Sequence, residues 1–204
     1  VVLPFAYVGV GPRLAVVEVS DQSHPKLIGK TDLLPNLVMA VEVVETLAYV
    51  VDWSGLRVID ISMPDAPRIV GSVDVPDGTW DIDVEGTMAY IAGGVSGLHV
   101  IDVSAPDAPH IVSSLDTPGS TYGVQILGTL AYVADIGGML VIDVSAPDAL
   151  RIMGSIDTSS VARSVHVVGT VAYVADESSG LQVIDVSAPD APRFVGSIDT
   201  PGFA

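Results

Sequence analysis

Val100-Ile101-Asp102-Val103-Ser104-Ala105-Pro106-Asp107-Ala108 recurs residue for residue at 141–149 and 183–191. Looser copies run from Val58 to Ala66 and from Val17 to Ser23. Upstream of each copy lies a second marker, Ala-Tyr followed by Val or Ile. It places Tyr7, Tyr49, Tyr90, Tyr132 and Tyr173 at intervals of 42, 41, 42 and 41 residues. A fixed period of this length means stacked supersecondary units rather than one irregular fold. Five copies fill residues 1–204, with no linker and no second domain.

Each unit reads as four short strands. In the fourth copy strand a is Val124–Leu127, the turn Gly128-Thr129 follows, and strand b is Leu130–Ala134. A loop at 135–138 leads to strand c, Met139–Ser145, and a proline turn at 146–150 to strand d, Arg151–Asp157. Val, Ile, Tyr and Leu fill the strands, while Gly, Pro, Asp and Ser fill the joints. No stretch shows a capped 3.6-residue period. Joints of two to about six residues suit antiparallel hairpins. Strand c is apolar at nearly every position, so both faces of the sheet need cover, and neighbouring units supply it. The expected fold is all-β: a β-propeller of five four-stranded antiparallel blades. A β-solenoid with two coils per unit is the weaker alternative, because the turns are hairpin-like.

Composition narrows the function. Eight Lys+Arg against 25 Asp+Glu give a net charge of −17, and there is no Cys. Phosphate recognition needs a basic face, so nucleic acid is not an expected partner. Anionic lipid is disfavoured for the same reason. Disulfide, Cys–zinc and thiol chemistry are excluded. A mean hydropathy of +0.55 argues against disorder. The most apolar stretch, Leu37 to Val51, is interrupted by Glu42 and Glu45 and does not read as a membrane span. The opening Val1-Val2-Leu3-Pro4 carries no basic n-region of a signal peptide.

The runs at 56–64, 98–106, 139–147 and 181–189, with the Gly-Ser-x-Asp-Thr-Pro that follows in places, resemble the LVIVD repeat. The first copy departs most, reading Leu14-Ala15-Val16-Val17-Glu18-Val19-Ser20. The resemblance implies a β-propeller of a bacterial or archaeal exported or cell-surface protein. It implies no established chemistry. By alignment of the repeats the chain begins inside strand a of the first blade, and closure into a five-bladed ring is expected, because an open arc leaves apolar flanks bare. Membership in a longer chain or larger assembly is the alternative.

Residues that repeat read as structural. Asp60, Asp102, Asp143 and Asp185, with Glu18, hold one position of strand c; Asp32, Asp74, Asp116, Asp157 and Asp199 end strand d. A carboxylate before Val-Ser-x-Pro accepts backbone N–H groups of the following turn. A five-fold set of Ca²⁺ sites is the competing reading. Residues that differ between copies read as functional. Met39, Trp80, Tyr122 and Arg163 share the start of strand a, and Trp53 lies in a b–c loop on the same face of the disc. Trp, Tyr and Arg dominate binding hot spots, so this rim is the expected contact surface for a protein or small ligand. Glu42, Asp83, Gln125 and His166 are equivalent residues further along strand a and form an expected polar ring at the axis. That ring is the candidate site for Ca²⁺ or another divalent cation, with a water-filled channel as the plainer reading. His99 and His110 are expected to be solvated.

No hydrolase elbow, P-loop, zinc helix or EF-hand loop occurs. No cofactor is expected beyond that cation. The expected function is therefore a non-enzymatic binding or scaffold propeller. A metal-assisted hydrolase using the axial Glu42, Asp83 and His166, and a structural arm of a surface assembly, are the alternatives.

Overall fold

The structure, a computed structural model, describes residues 5–202. Tight turns set its topology. Gly86, Gly128 and Gly169 take φ of 62°, 64° and 62° between strands a and b, which a two-residue hairpin of the right twist requires. Between strands c and d, the N–H groups of Ala66, Ala108, Ala149 and Ala191 bond back to Met63, Ala105, Ala146 and Ala188 across a Pro-Asp pair, each at 2.9 Å.

The outcome is five antiparallel sheets in sequence order. Blade one comprises β1 (Phe5–Gly9), β2 (Leu14–Glu18) and β3 (Lys26–Lys30), corresponding to strands b, c and d. The expected start inside its strand a lies outside the described residues. Blade two is β4 (Ala40–Val44), β5 (Leu47–Val51), β6 (Gly55–Asp60) and β7 (Arg68–Asp74). Blade three is β8 (Asp81–Glu85), β9 (Met88–Ala92), β10 (Leu98–Asp102) and β11 (His110–Leu115). Blade four is β12 (Thr121–Leu127), β13 (Leu130–Asp135), β14 (Gly138–Asp143) and β15 (Arg151–Asp157). Blade five is β16 (Ser164–Val168), β17 (Val171–Ala175), β18 (Leu181–Asp185) and β19 (Arg193–Ile198). Strand a of the fourth unit thus starts three residues before the expected Val124, and strand c stops at Asp143 rather than Ser145. Every c–d pair slips register at the same place, as at Val58/Ile59 and Val183/Ile184, a repeated bulge that adds twist.

The core lies between blades. Each sheet has a leading flank toward the next blade and a trailing flank toward the previous one. Tyr49, Val51, Leu56 and Val58 of blade two pack on Ile82, Ala89, Ile91 and Ile101 of blade three. Tyr90, Ala92, Leu98 and Val100 repeat this against blade four, and Tyr132, Ala134, Met139 and Val141 against blade five. Blade one joins blade two through Leu14 and Tyr7.

The expected ring closure is not what the structure shows. Tyr49, Tyr90 and Tyr132 are 5, 5 and 3% exposed, whereas Tyr173, at the same position of blade five, is 39% exposed. On the trailing flank of blade one, Val8 is 44% exposed where Val50 of blade two is fully buried. No apolar cluster among the described residues joins blade five to blade one. Among the described residues the blades form an open arc.

Candidate functional site

Strand a and the b–c loop bring the variable residues together on one face. The N–H of Met39 bonds to the Val51 carbonyl at 2.8 Å, that of Trp80 to Ala92 at 2.9 Å and that of Arg163 to Ala175 at 2.8 Å, so these residues hold one register position in their blades. Their side chains diverge from there. Trp53 and Trp80 meet edge to face with ring centroids 5.0 Å apart. Trp80 meets Tyr122 the same way, also at 5.0 Å. The Arg163 guanidinium lies 4.2 Å from the Tyr122 ring centroid and is ion-paired with Glu177. A ladder of three aromatic rings and one cation therefore crosses blades two to five. Met39 does not join it; it packs against the apolar cluster between blades two and three.

Backbone strain and nearby glycines accompany the ladder. Trp53 has φ of 69°, a region bulky residues avoid, and a conformation of this kind costs about 1–3 kcal/mol. Its side chain is 44% exposed. Glycines give the indoles room: a Cβ on Gly78 would lie 3.1 Å from the Trp53 ring, and one on Gly94 3.2 Å from Trp80 Nε1.

Beneath the rim is a buried polar network missed in the sequence. Arg57 is 4% exposed and donates to Asp52 at 3.1 Å, Asp74 at 2.9 Å and Ser54 at 2.6 Å. Asp52 is fully buried. His99 occupies the Arg57 position in blade three. Its expected solvation is wrong: it is 4% exposed, and its Nε2 shares a hydrogen bond of 2.8 Å with Ser96 Oγ. Burial in the sheet stack holds its pKa below the usual histidine value. The repeat hid this because Arg57, His99, Leu140 and Gln182 look like unrelated surface choices. His110 is exposed.

Two residues of the axial ring make interblade hydrogen bonds. Asp83 accepts the Ile126 N–H at 2.6 Å, and Gln125 accepts the Val167 N–H at 2.6 Å. Asp81, which sequence reading did not single out, accepts the Val124 N–H at 3.0 Å. These side chains tie blade three to the inner strand of blade four and blade four to that of blade five, satisfying edge N–H groups. Glu42 is half-buried; burial, then the charges of Asp83 and Asp81, raise its pKa. Burial also raises that of Asp81. His166 is exposed. Among the described residues no three His, Asp or Glu side chains are gathered so as to hold a metal ion. Two of the four ring residues, Asp83 and Gln125, thus act as staples between blades.

The repeated carboxylates cap turns. Asp60, Asp102, Asp143 and Asp185 accept the N–H of the serine two residues on at 2.9, 2.7, 3.0 and 2.9 Å. Glu18 is longer by one methylene and accepts the Ser20 hydroxyl instead, at 3.0 Å. Hydrogen bonds from Ser62, helped by Arg68, lower the Asp60 pKa to about 2.

Comparison with known proteins identifies the repeat. The LVIVD repeat model matches residues 4–32, 37–75, 78–117, 118–158 and 160–200. A comparison with curated proteins finds no match. Among solved structures, a functionally unknown protein from Desulfotomaculum acetoxidans DSM 771 superposes with a TM-score of 0.80 at 14% identity, covering 96% of this chain and 66% of that one. The β-propeller domain of Myceliophteria thermophila Cps50 (Swd1) gives 0.78 at 10% identity, with 97% and 69% covered. The computationally designed Ika8 protein gives 0.72 at 9% identity, with 97% and 62% covered. Likeness at these identities establishes the fold, a β-propeller arrangement of blades. The chain spans about two thirds of the length of each of these structures.

Proposed function

This chain belongs to the LVIVD repeat family, and from that premise we propose that it is a non-enzymatic binding propeller of an exported or cell-surface protein. Its contact surface is the Trp53–Trp80–Tyr122–Arg163 ladder. The observation that carries this reading is Trp53 itself: an exposed indole held at positive φ, stacked on a second indole, with a glycine behind each. Strained backbone persists where the surrounding structure enforces it, and it clusters at functional sites. The partner is a protein segment carrying aromatic or basic side chains, since the ladder offers π faces beside Glu177 on a chain of charge −17. Nucleic acid and anionic lipid are disfavoured by the same charge.

A displayed peptide library selected on the wild-type chain tests this. Peptides enriched on the wild type are expected to lose at least about tenfold in affinity on Trp53→Ala, the scale of one hot-spot aromatic. They are expected to bind Leu27→Ala unchanged, since Leu27 lies on strand β3 away from the ladder. Both tryptophans of the chain sit in the ladder, so intrinsic fluorescence reports binding directly. A library yielding only binders indifferent to Trp53 and Trp80 would sink the proposal.

A further inference from the structure

We infer that the leading flank of blade five is a docking face for a sixth blade of the same repeat, continuing the arc in the same sense. Three separate features of blade five are built for a neighbour that the described chain does not place there.

The first is apolar. Tyr173, Ala175, Leu181 and Val183 repeat the set that is buried on blades two, three and four by the next sheet. On β19, Val195 and Ile198 are 65 and 62% exposed, while their equivalents Val70 and Val73 of blade two pack against the core. The second is a glycine. A Cβ on Gly29, Gly71 or Gly154 would come closer than 3.0 Å to a carbonyl in the proline turn of the following blade, that of Pro64, Pro106 and Pro189 respectively. Blade three has Ser113 at this position, and it donates a hydrogen bond to the Pro147 carbonyl. Gly196 is the same residue of blade five and meets nothing within 4 Å. Glycine in a strand interior marks a bulge or a close backbone approach, and Ser113 at the same bulge of blade three shows that the bulge does not require it. The third is polar. Asp83 and Gln125 each accept an N–H from strand a of the next blade, and His166 holds their position, exposed, at the inner edge of blade five.

Together these specify the occupant. It presents an Ala/Val/Ile trailing flank, a turn carbonyl against Gly196 and a strand edge N–H toward His166. An unrelated apolar surface meets the first requirement only. Blade one of the same chain is not the occupant, because both flanks stay bare. Blade one of a second copy offers a similar flank, and sedimentation separates that occupant from an appended blade.

The test appends one more unit, a second copy of residues 122–163, in phase after Ala204, and compares it with the 204-residue chain. In the extended chain, amides of β17 and β18 are expected to exchange at least about tenfold more slowly. Gly196→Val is expected to leave the 204-residue chain within about 1 °C of wild type, and to lower the midpoint of the extended chain by about 4–8 °C through overpacking. Equal tolerance of Gly196→Val in both chains overturns the inference. So does an appended unit whose amides exchange at once. Sedimentation of the 204-residue chain as an oligomer that Tyr173→Glu converts to monomer also overturns it, by giving the flank to a second copy.

Discussion

Arg57 illustrates how one residue decides local stability. It is the only described cation that reaches the fully buried Asp52, and it also bonds Asp74 and Ser54. Replacing a buried pair wholesale can be neutral, but removing one partner leaves an uncompensated charge. Arg57→Leu is therefore expected to cost about 3–5 kcal/mol in urea unfolding. Arg68→Ala breaks the pair with Asp60 in which the arginine is 74% exposed, and is expected to cost under about 1 kcal/mol. Equal costs would show that the network is solvated. Glu42 gives a test with a sign. Its folded pKa is raised, so its ionisation opposes folding: the penalty is full above the folded pKa and absent below the unfolded value. Glu42→Gln is expected to raise the thermal midpoint at pH 7 by about 1–2 °C, a small effect because the group is partly solvated. The gain should disappear below about pH 4, where the wild-type carboxyl is protonated in both states. A gain that persists there would assign it to packing instead.

At the scale of the strand and turn, the repeat makes each blade a comparison for the others. Glu45 fills the a–b turn position that is glycine in blades three to five, with φ of 55°. Glu45→Gly relieves that backbone, and a gain of roughly 0.5–1 kcal/mol is expected on the scale of left-handed strain less glycine's entropy. No gain would mean that the Glu45 side chain makes contacts that offset the strain. The same comparison explains what sequence reading could reach. Turn chemistry and strand periodicity are local, so the four-stranded unit, the turn-capping aspartates and the sharing of one face by Trp53 and Trp80 all followed from spacing. The Arg57 and His99 positions did not, because their partners lie in loops and at a strand end of their own blades, brought near only by folding. The interblade bonds of Asp83 and Gln125 stayed hidden for a related reason. Their partners are backbone N–H groups of the next blade, which no side-chain pattern announces.

At the scale of the molecule, stability is a sum of blades and the interfaces between them. In such arrays each unit depends on its nearest neighbours. Blades two, three and four are covered on both flanks, whereas blade five has cover on its trailing flank alone. The same substitution should thus differ in cost by position. Tyr132→Ala empties a site between two sheets and is expected to cost about 3 kcal/mol or more. Tyr173→Ala removes a side chain 39% exposed and is expected to cost about 1 kcal/mol. Native-state hydrogen exchange extends the argument to every amide. β9, β10, β13 and β14 should exchange only through global opening, while β18 and β19 should open in a separate, lower-energy step. Adding Tyr132→Ala should then bring the opening of blade five closer to zero free energy without changing β9 and β10 to the same degree, because the lost contact is the one that ties blade five to the arc. Uniform protection from β4 to β19 would mean that blade five is covered in solution after all, and that the flank carrying Tyr173 is already occupied.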